Sequence, residues 1–346
     1  MTASFGEPGR LPPMRRRAVA ARPDELVEIG PLDPARALPV VVRPRADVDL
    51  VAWATANRDL VERELLGCGA VLFRGFAVAS REQLERIALV FVPELLDYVE
   101  GTSPRTQLAD GVYTSTEYPP EHFISLHNEL SYAHRWPARL FFCCVTPPAS
   151  GGETPLADGR RVLEELPGDL VARFAEKGVR YSRNMHDGRG PGLSWRAVFE
   201  TDDRDLVERY CREGGVEHRW RPDGGLWTRQ VRPGLISHPR TGERVWFNQA
   251  DQWHPSSLGA ELASAMAATS DALPLDASFG DGTPFTADEL EQVRGAVRRA
   301  MVTFPWRAGD LLVVDNMLVA HGRMPYTGPR RVLVAMGETV ELRSLA

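Results

Sequence analysis

Two side chains able to hold a metal stand one residue apart in the stretch ISLHNELSY, residues 124–132: the imidazole of His127 and the carboxylate of Glu129. On a strand, residues i and i+2 project from the same face. A strand reading therefore aims both into one space and turns Asn128 away. Two imidazoles and one carboxylate form the donor set of a mononuclear iron site with open coordination positions. A second histidine must then come from a neighbouring strand. His321 is the candidate, because it ends the apolar run LLVVDNMLVAH and is followed by the basic pair Arg330 and Arg331. By itself H-x-E is common by chance, and a histidine at a strand end is ordinarily a hydrogen-bonded polar residue. The flanking sequence has to carry the argument.

The elements that must position these residues are mostly short strands. Apolar runs with strand character occur in GAVLFRGF, HFISLHNEL, RLFFCCVTP, GVRYSRNM, GLISHP, RVWFNQ, GDLLVVDNMLVAHG and RRVLVAMGETV. Helical spacing occurs over 47–66, in SREQLERIALVF with its serine cap, and over 160–177, 202–214, 256–271 and 286–299. This is a mainly β pattern with helices, a barrel or sandwich wrapped by helices. No regular alternation of strand and helix supports a doubly wound parallel sheet. Residues 1–45 read as a flexible, Pro-rich lead-in and a first strand, and 46–346 as a single domain.

Bulk properties narrow the function classes. Of 346 residues, 43% are hydrophobic and 25% charged, the balance of a globular protein. The formal net charge of -6 argues against a general nucleic-acid binder. No apolar run approaches the roughly 20 residues that span a bilayer, so no membrane partner is expected. The first residues lack the apolar core of a secretory signal, which points to the cytoplasm. Cys68, Cys143, Cys144 and Cys211 form no C-x-x-C pair. They read as core hydrophobes in a reducing compartment rather than as a zinc site.

With the flanks added, the chain resembles the TauD/TfdA family of Fe(II)- and 2-oxoglutarate-dependent oxygenases. The motifs HNE, GGET, WRAGDLLVVDN, HGR and PRR occur in the family's order between residues 69 and 336. The resemblance is nearest to syringomycin-type aspartyl β-hydroxylases and clavaminate synthase-like members. It implies a double-stranded β-helix (jelly-roll, cupin-like) core with flanking helices and a lid insertion at about 178–235. It makes His127, Glu129 and His321 the ligands of Fe(II), leaving 2-oxoglutarate two positions and O2 the last. It matches Arg331 to the arginine that grips the far carboxylate of 2-oxoglutarate, with Arg330 as the alternate, and Thr154 to a supporting hydroxyl. Only one of two adjacent strand residues can face inward; Arg331 is favoured, with Leu333 and Ala335 on its side.

The departures from the family pattern speak to substrate. Ala335 stands where sulfonate-binding members carry a further arginine, so a buried sulfonate would lack its charge partner. The intact Glu129 favours hydroxylation over halogenation. The resemblance thus implies hydroxylation of an unactivated C–H bond in an amino acid or amino-acid-derived substrate of specialised (natural-product) metabolism, such as antibiotic biosynthesis, with release of succinate and CO2. Desaturation or cyclisation at the same site, and a substrate tethered to a carrier protein, are the nearest alternatives. A non-oxygenase cupin-like metal-binding protein or isomerase is the alternative of another class. Asn128, Tyr132, Asn248, Asn316 and Arg330 are candidate substrate contacts, with Gln249 and His254 beside them. His122 and His134 read as surface or supporting residues, and Trp306 as core packing. The sequence does not fix the oligomeric state.

Overall fold

Strand after strand of this chain is apolar on both faces, because its main sheet is covered on both. In a computed structural model the residues described are 26–97, 100–101, 107–109, 111–115, 118–258 and 273–345. The lead-in before residue 26 and most of the helix expected over 256–271 lie outside them. An eight-stranded sheet runs in the order Val27–Asp33, Arg36–Pro44, Ala70–Phe73, Leu311–Asp315, Arg135–Thr146, Arg331–Glu341, Val112–Thr114, Gln107–Ala109. On one face Val71, Phe73, Phe141, Cys143, Val313, Leu333 and Ala335 pack with Trp53, Leu65, Leu84 and Phe91 of the helices Leu50–Ala56, Arg58–Cys68 and Arg81–Phe91. On the other, Leu72, Leu140, Phe142, Leu312, Val314, Val332, Val334 and Met336 enter the main core.

A four-stranded sheet closes that core, in the order Met301–Val302, Leu156–Asp158, Val319–Arg323, Ile124–His127. The helix Ala287–Ala300 adds Leu290, Val293 and Ala296 to the same core. Two sheets packed face to face under a helical layer are the jelly-roll architecture expected from the sequence.

Local chemistry sets several boundaries. Ser80 and Gln83 form a capping box on the helix Arg81–Phe91, and Thr286 and Glu289 form another on Ala287–Ala300. The helical run expected over 47–66 breaks at Asn57, which ends Leu50–Ala56 and opens Arg58–Cys68. Gly69 stops the second helix at φ 85, a left-handed conformation. A Cβ there would sit 2.3 Å from Val319 Cγ2, so the glycine also lets this turn press against the strand that carries His321.

The region expected as a lid is a folded layer. A second four-stranded sheet, ordered Glu217–Trp220, Leu226–Arg232, Val179–Met185, Leu275–Phe279, extends it beyond residue 235. Met185, Trp195, Val198, Val207 and Cys211 form its own cluster. Val179, Tyr181 and Phe279 belong to the main core, so this layer is anchored. All four cysteines are free and buried; burial pushes the thiols of Cys143, Cys144 and Cys211 up to about 12. Among the described residues no helix is long and apolar enough to cross a membrane.

Candidate metal centre

His127 closes the strand Ile124–His127, and His321 lies directly opposite it in register on Val319–Arg323. Their ring centroids are 4.6 Å apart. Glu129 reaches the same place by another route than the strand period. The strand ends at His127, and the chain turns, with Leu130 at φ 57. Its Oε2 nonetheless lies 3.9 Å from His321 Nε2. One donor atom from each of His127, Glu129 and His321 falls within 4.8 Å of the others.

Asn316 makes this turn specific. Its Oδ1 accepts from the Glu129 N–H at 2.7 Å, and its Nδ2 donates to the Glu129 and Pro137 carbonyls at 2.9 and 2.8 Å. Asn128 points away, as expected, and donates to the Asn316 carbonyl at 2.7 Å. Asp315 in turn fixes Asn316: its carboxylate accepts from the N–H groups of Met317 and Leu318 and pairs with Arg139 at 2.5 Å. His127 is oriented through Nδ1, 2.9 Å from the Ser125 carbonyl. A carbonyl only accepts, so the hydrogen sits on Nδ1 and the Nε2 lone pair is left for a cation. Gln252 Nε2 lies 3.3 Å from the same Nδ1; being a donor itself, it makes no hydrogen bond to an Nδ1 that carries the hydrogen. Two imidazoles and a carboxylate, converging while Glu129 and His321 are only 3% and 4% exposed, fit a divalent iron ion.

The arginine assignment is corrected by the structure. Arg331 is exposed, whereas Arg330 lines the metal pocket. Arg331, Leu333 and Ala335 do share a side, but it is the helix-facing side of the sheet. Val332, Val334 and Met336 face inward, and a bulge between Arg331 and Val332 marks where the strand begins. Arg330 donates to the Gly152 carbonyl at 2.9 Å and to Ser115 Oγ at 3.0 Å. Both partners are neutral. Burial first, and the Arg323 guanidinium second, push its pKa down to about 10. Four residues beyond Arg330 is Val334, so the position that would grip a sulfonate is again uncharged.

Thr154 lines the same pocket, a narrow space of about 30 Å³. Its Oγ1 accepts from Trp306 Nε1 at 3.2 Å. An indole only donates, so the hydroxyl hydrogen of Thr154 remains available to an anion. Trp306 is core packing and also the support of this hydroxyl. A half-buried guanidinium bonded to neutral groups, beside a hydroxyl with a hydrogen to give, fits a carboxylate.

The remaining candidates bond groups of the fold. Tyr132 donates to the Glu100 carbonyl at 2.6 Å and packs on Trp253. Asn248 bonds the Gly234 carbonyl and the Ala250 N–H. Of the five proposed substrate contacts, Arg330 lines the metal pocket, while Tyr132, Asn248 and Asn316 bond backbone groups and Asn128 does so through Nδ2 alone; Asn248 also lines a separate cavity of about 500 Å³. His122 packs on Tyr118, His134 on Tyr210, and His254 bonds Ser256. Sequence reasoning missed the Asn316 clamp and Gln252. The first had a signal in the motif VVDN; the second had none, because its contact is purely tertiary.

Comparison with known proteins agrees with this geometry. The model of the "Taurine catabolism dioxygenase TauD, TfdA family" matches residues 28–336. The dapdiamide synthesis protein DdaC of Enterobacter agglomerans is 38% identical over 274 residues, covering 79% of this chain and 83% of that protein. A clavaminate synthase-like protein of Arabidopsis thaliana is 34% identical over 276 residues, covering 78% and 81%. Among solved structures, PvcB of Pseudomonas aeruginosa superimposes with a TM-score of 0.56 at 16% identity, over 93% of this chain and 96% of its own. At that identity the likeness shows the fold.

Proposed function

Because the chain belongs to the TauD/TfdA family of Fe(II)- and 2-oxoglutarate-dependent dioxygenases, we propose that His127, Glu129 and His321 are its iron ligands and that Arg330 and Thr154 hold the far carboxylate of 2-oxoglutarate. The observation that carries this reading is a three-donor cluster next to a half-buried arginine whose hydrogen-bond partners are neutral. When bound, iron with 2-oxoglutarate and O2 supplies the oxidising power to functionalise an unactivated C–H bond, with succinate and CO2 as co-products. The chain's own residues do the positioning. Ser125 keeps the Nδ1 hydrogen in place so that His127 offers Nε2. Asn316 holds the Glu129 backbone at both its N–H and its carbonyl. Arg330 meets an anionic carboxylate, and Thr154 adds its hydrogen.

The substrate is an amino-acid-like small molecule, and the reaction hydroxylation in specialised metabolism. The relationship to a dapdiamide synthesis protein supports this choice, as does the uncharged Val334 at the sulfonate position. Desaturation or cyclisation would use the same site, and a carrier-tethered substrate is the variant of this reading. We place the enzyme in the cytoplasm on its four free, buried thiols.

Anaerobic titration of the purified protein with Fe(II) and 2-oxoglutarate tests the proposal. A weak visible charge-transfer band is expected, absent in His127→Ala and weakened in Arg330→Met. Bound iron with no band in the intact protein would overturn the assignment in favour of a cupin-like metal-binding protein.

A further inference from the structure

The turn that joins His127 to Glu129 is held from two sides. Asn316 grips the Glu129 backbone from one. On the other, the Asn128 carbonyl accepts from Gln249 Nε2 at 2.7 Å. Gln249 is 3% exposed and directly precedes the helix Ala250–Trp253. That short helix is itself fixed. The Gln249 N–H donates to the Tyr181 hydroxyl at 2.9 Å, and Asn248 Oδ1 accepts from the Ala250 N–H at 3.0 Å. Trp253 packs on Tyr132 and Tyr181. From the same helix Gln252 brings its carboxamide to 3.3 Å from His127 Nδ1. One element therefore meets both the backbone beside the cluster and the ring of one of its members.

The carboxamide of Gln252 stands the wrong way round for that ring. Its Nε2 meets an Nδ1 that carries a hydrogen, donor against donor, while its Oε1 is buried with no hydrogen-bond partner among the described residues. The two ends of a carboxamide are nearly the same size and differ only in whether they give or accept a hydrogen. A half-turn about the terminal torsion moves no backbone and brings the oxygen to the Nδ1–H, which it then shares with the Ser125 carbonyl.

We propose that Gln252 is a positioning residue of the metal cluster, its carboxamide oxygen accepting from His127 Nδ1–H, and that Gln249 holds the same turn through Asn128. The proposal deepens, and rests on, the reading of His127, Glu129 and His321 as metal ligands. An acceptor behind a ligating imidazole fixes its tautomer and its orientation and makes Nε2 a stronger donor to the ion. Tyr181 lies on the strand Val179–Met185 of the outer layer, so this contact also ties that layer to the cluster.

Titration of the metal-free protein with Co(II), followed by its visible absorbance, tests the proposal, and competition with Fe(II) gives the iron affinity. In the Co(II)-loaded protein the unpaired electrons shift the Nδ1 hydrogen of a ligating imidazole clear of other proton resonances, so its exchange with water can be followed. Gln252→Met, of nearly the same length, should weaken Co(II) by about 10- to 100-fold. It should also speed the exchange of one Nδ1 hydrogen, without lowering the thermal midpoint of the metal-free protein. Gln252→Glu, which offers an oxygen at either end, should bind at least as tightly as the intact protein. Gln249→Met should weaken the metal and leave the Nδ1 hydrogens in slow exchange. The proposal is overturned if Gln252→Met binds Co(II) as tightly as the intact protein, or if Gln252→Glu binds it more weakly. It is also overturned if affinity falls in Gln252→Met with no change at either Nδ1 hydrogen, the result expected of a side chain that only packs. An intact protein that binds neither Co(II) nor Fe(II) would overturn the metal reading itself, and this inference with it.

Discussion

Arg74 and Arg330 are both held within the fold, and their surroundings are opposite. Arg74, 7% exposed, meets Asp310 with two nitrogens at 3.0 and 2.6 Å and adds the Pro305 carbonyl. Arg139 is likewise matched, to Asp315 and Glu62. These guanidiniums were buried together with their acids. Arg330 is half-buried with a carbonyl and a hydroxyl as its partners, and burial first, then the Arg323 guanidinium, depress its pKa. A lowered folded-state pKa means that the folded protein holds this proton less firmly than the unfolded chain does. At neutral pH the charge on Arg330 thus subtracts from stability. A matched buried cation belongs to the scaffold; one left with neutral partners is free to meet an anion, as proposed for Arg330.

Breaking the matched pair should have the largest effect. Asp310→Ala strands Arg74 inside the protein and should cost about 3–5 kcal/mol in denaturant unfolding; a loss under about 1 kcal/mol would void the contrast. Arg330→Met should do the reverse. Its unfolding free energy should hold or rise, while 2-oxoglutarate affinity in anaerobic titration falls by about 1.5–3 kcal/mol. If Arg330→Met unfolds as easily as Asp310→Ala, Arg330 is a structural residue. Thr154→Val sharpens the comparison with a smaller, double effect. It should weaken 2-oxoglutarate by about 1 kcal/mol and lower stability by a similar amount, since Trp306 loses its acceptor; Thr154→Ser should restore both. Arg331→Ala, on the exposed side, should change neither quantity by more than about 0.5 kcal/mol.

The candidate metal cluster was legible in the sequence because its residue types and motif order are distinctive. His127, Glu129, His321 and Thr154 stand together in the structure as that reading implied. The face of the last strand was not legible. Strand period fixes which residues share a side, and it grouped Arg331 with Leu333 and Ala335 correctly. Which side faces the core is normally read from apolar alternation. Here helices cover one face of the sheet and the second sheet the other, so Leu333 and Val334 are equally buried and the alternation vanishes. The choice between Arg330 and Arg331 then hung on which of two equally apolar faces turns toward the second sheet. Glu129 gave the converse lesson: the inference of shared space was right and its cause was not, because a turn tied down by Asn316 replaces the expected pleat. The insertion expected at about 178–235 folds as a sheet layer. The strand Leu275–Phe279, distant in sequence, ties it to the core.

His127 and His321 are roughly 190 residues apart along the chain and face each other across one pair of strands. An ion gripped by both is a cross-link as well as a reagent. The strand Ile124–His127 is the outermost of its sheet, bonded to a neighbour on one side only, and the ion would rivet that free margin to the strand beside it. Iron supply would then govern how long the folded enzyme survives, and starvation for the metal would be felt first as fraying at this margin and as proteolysis.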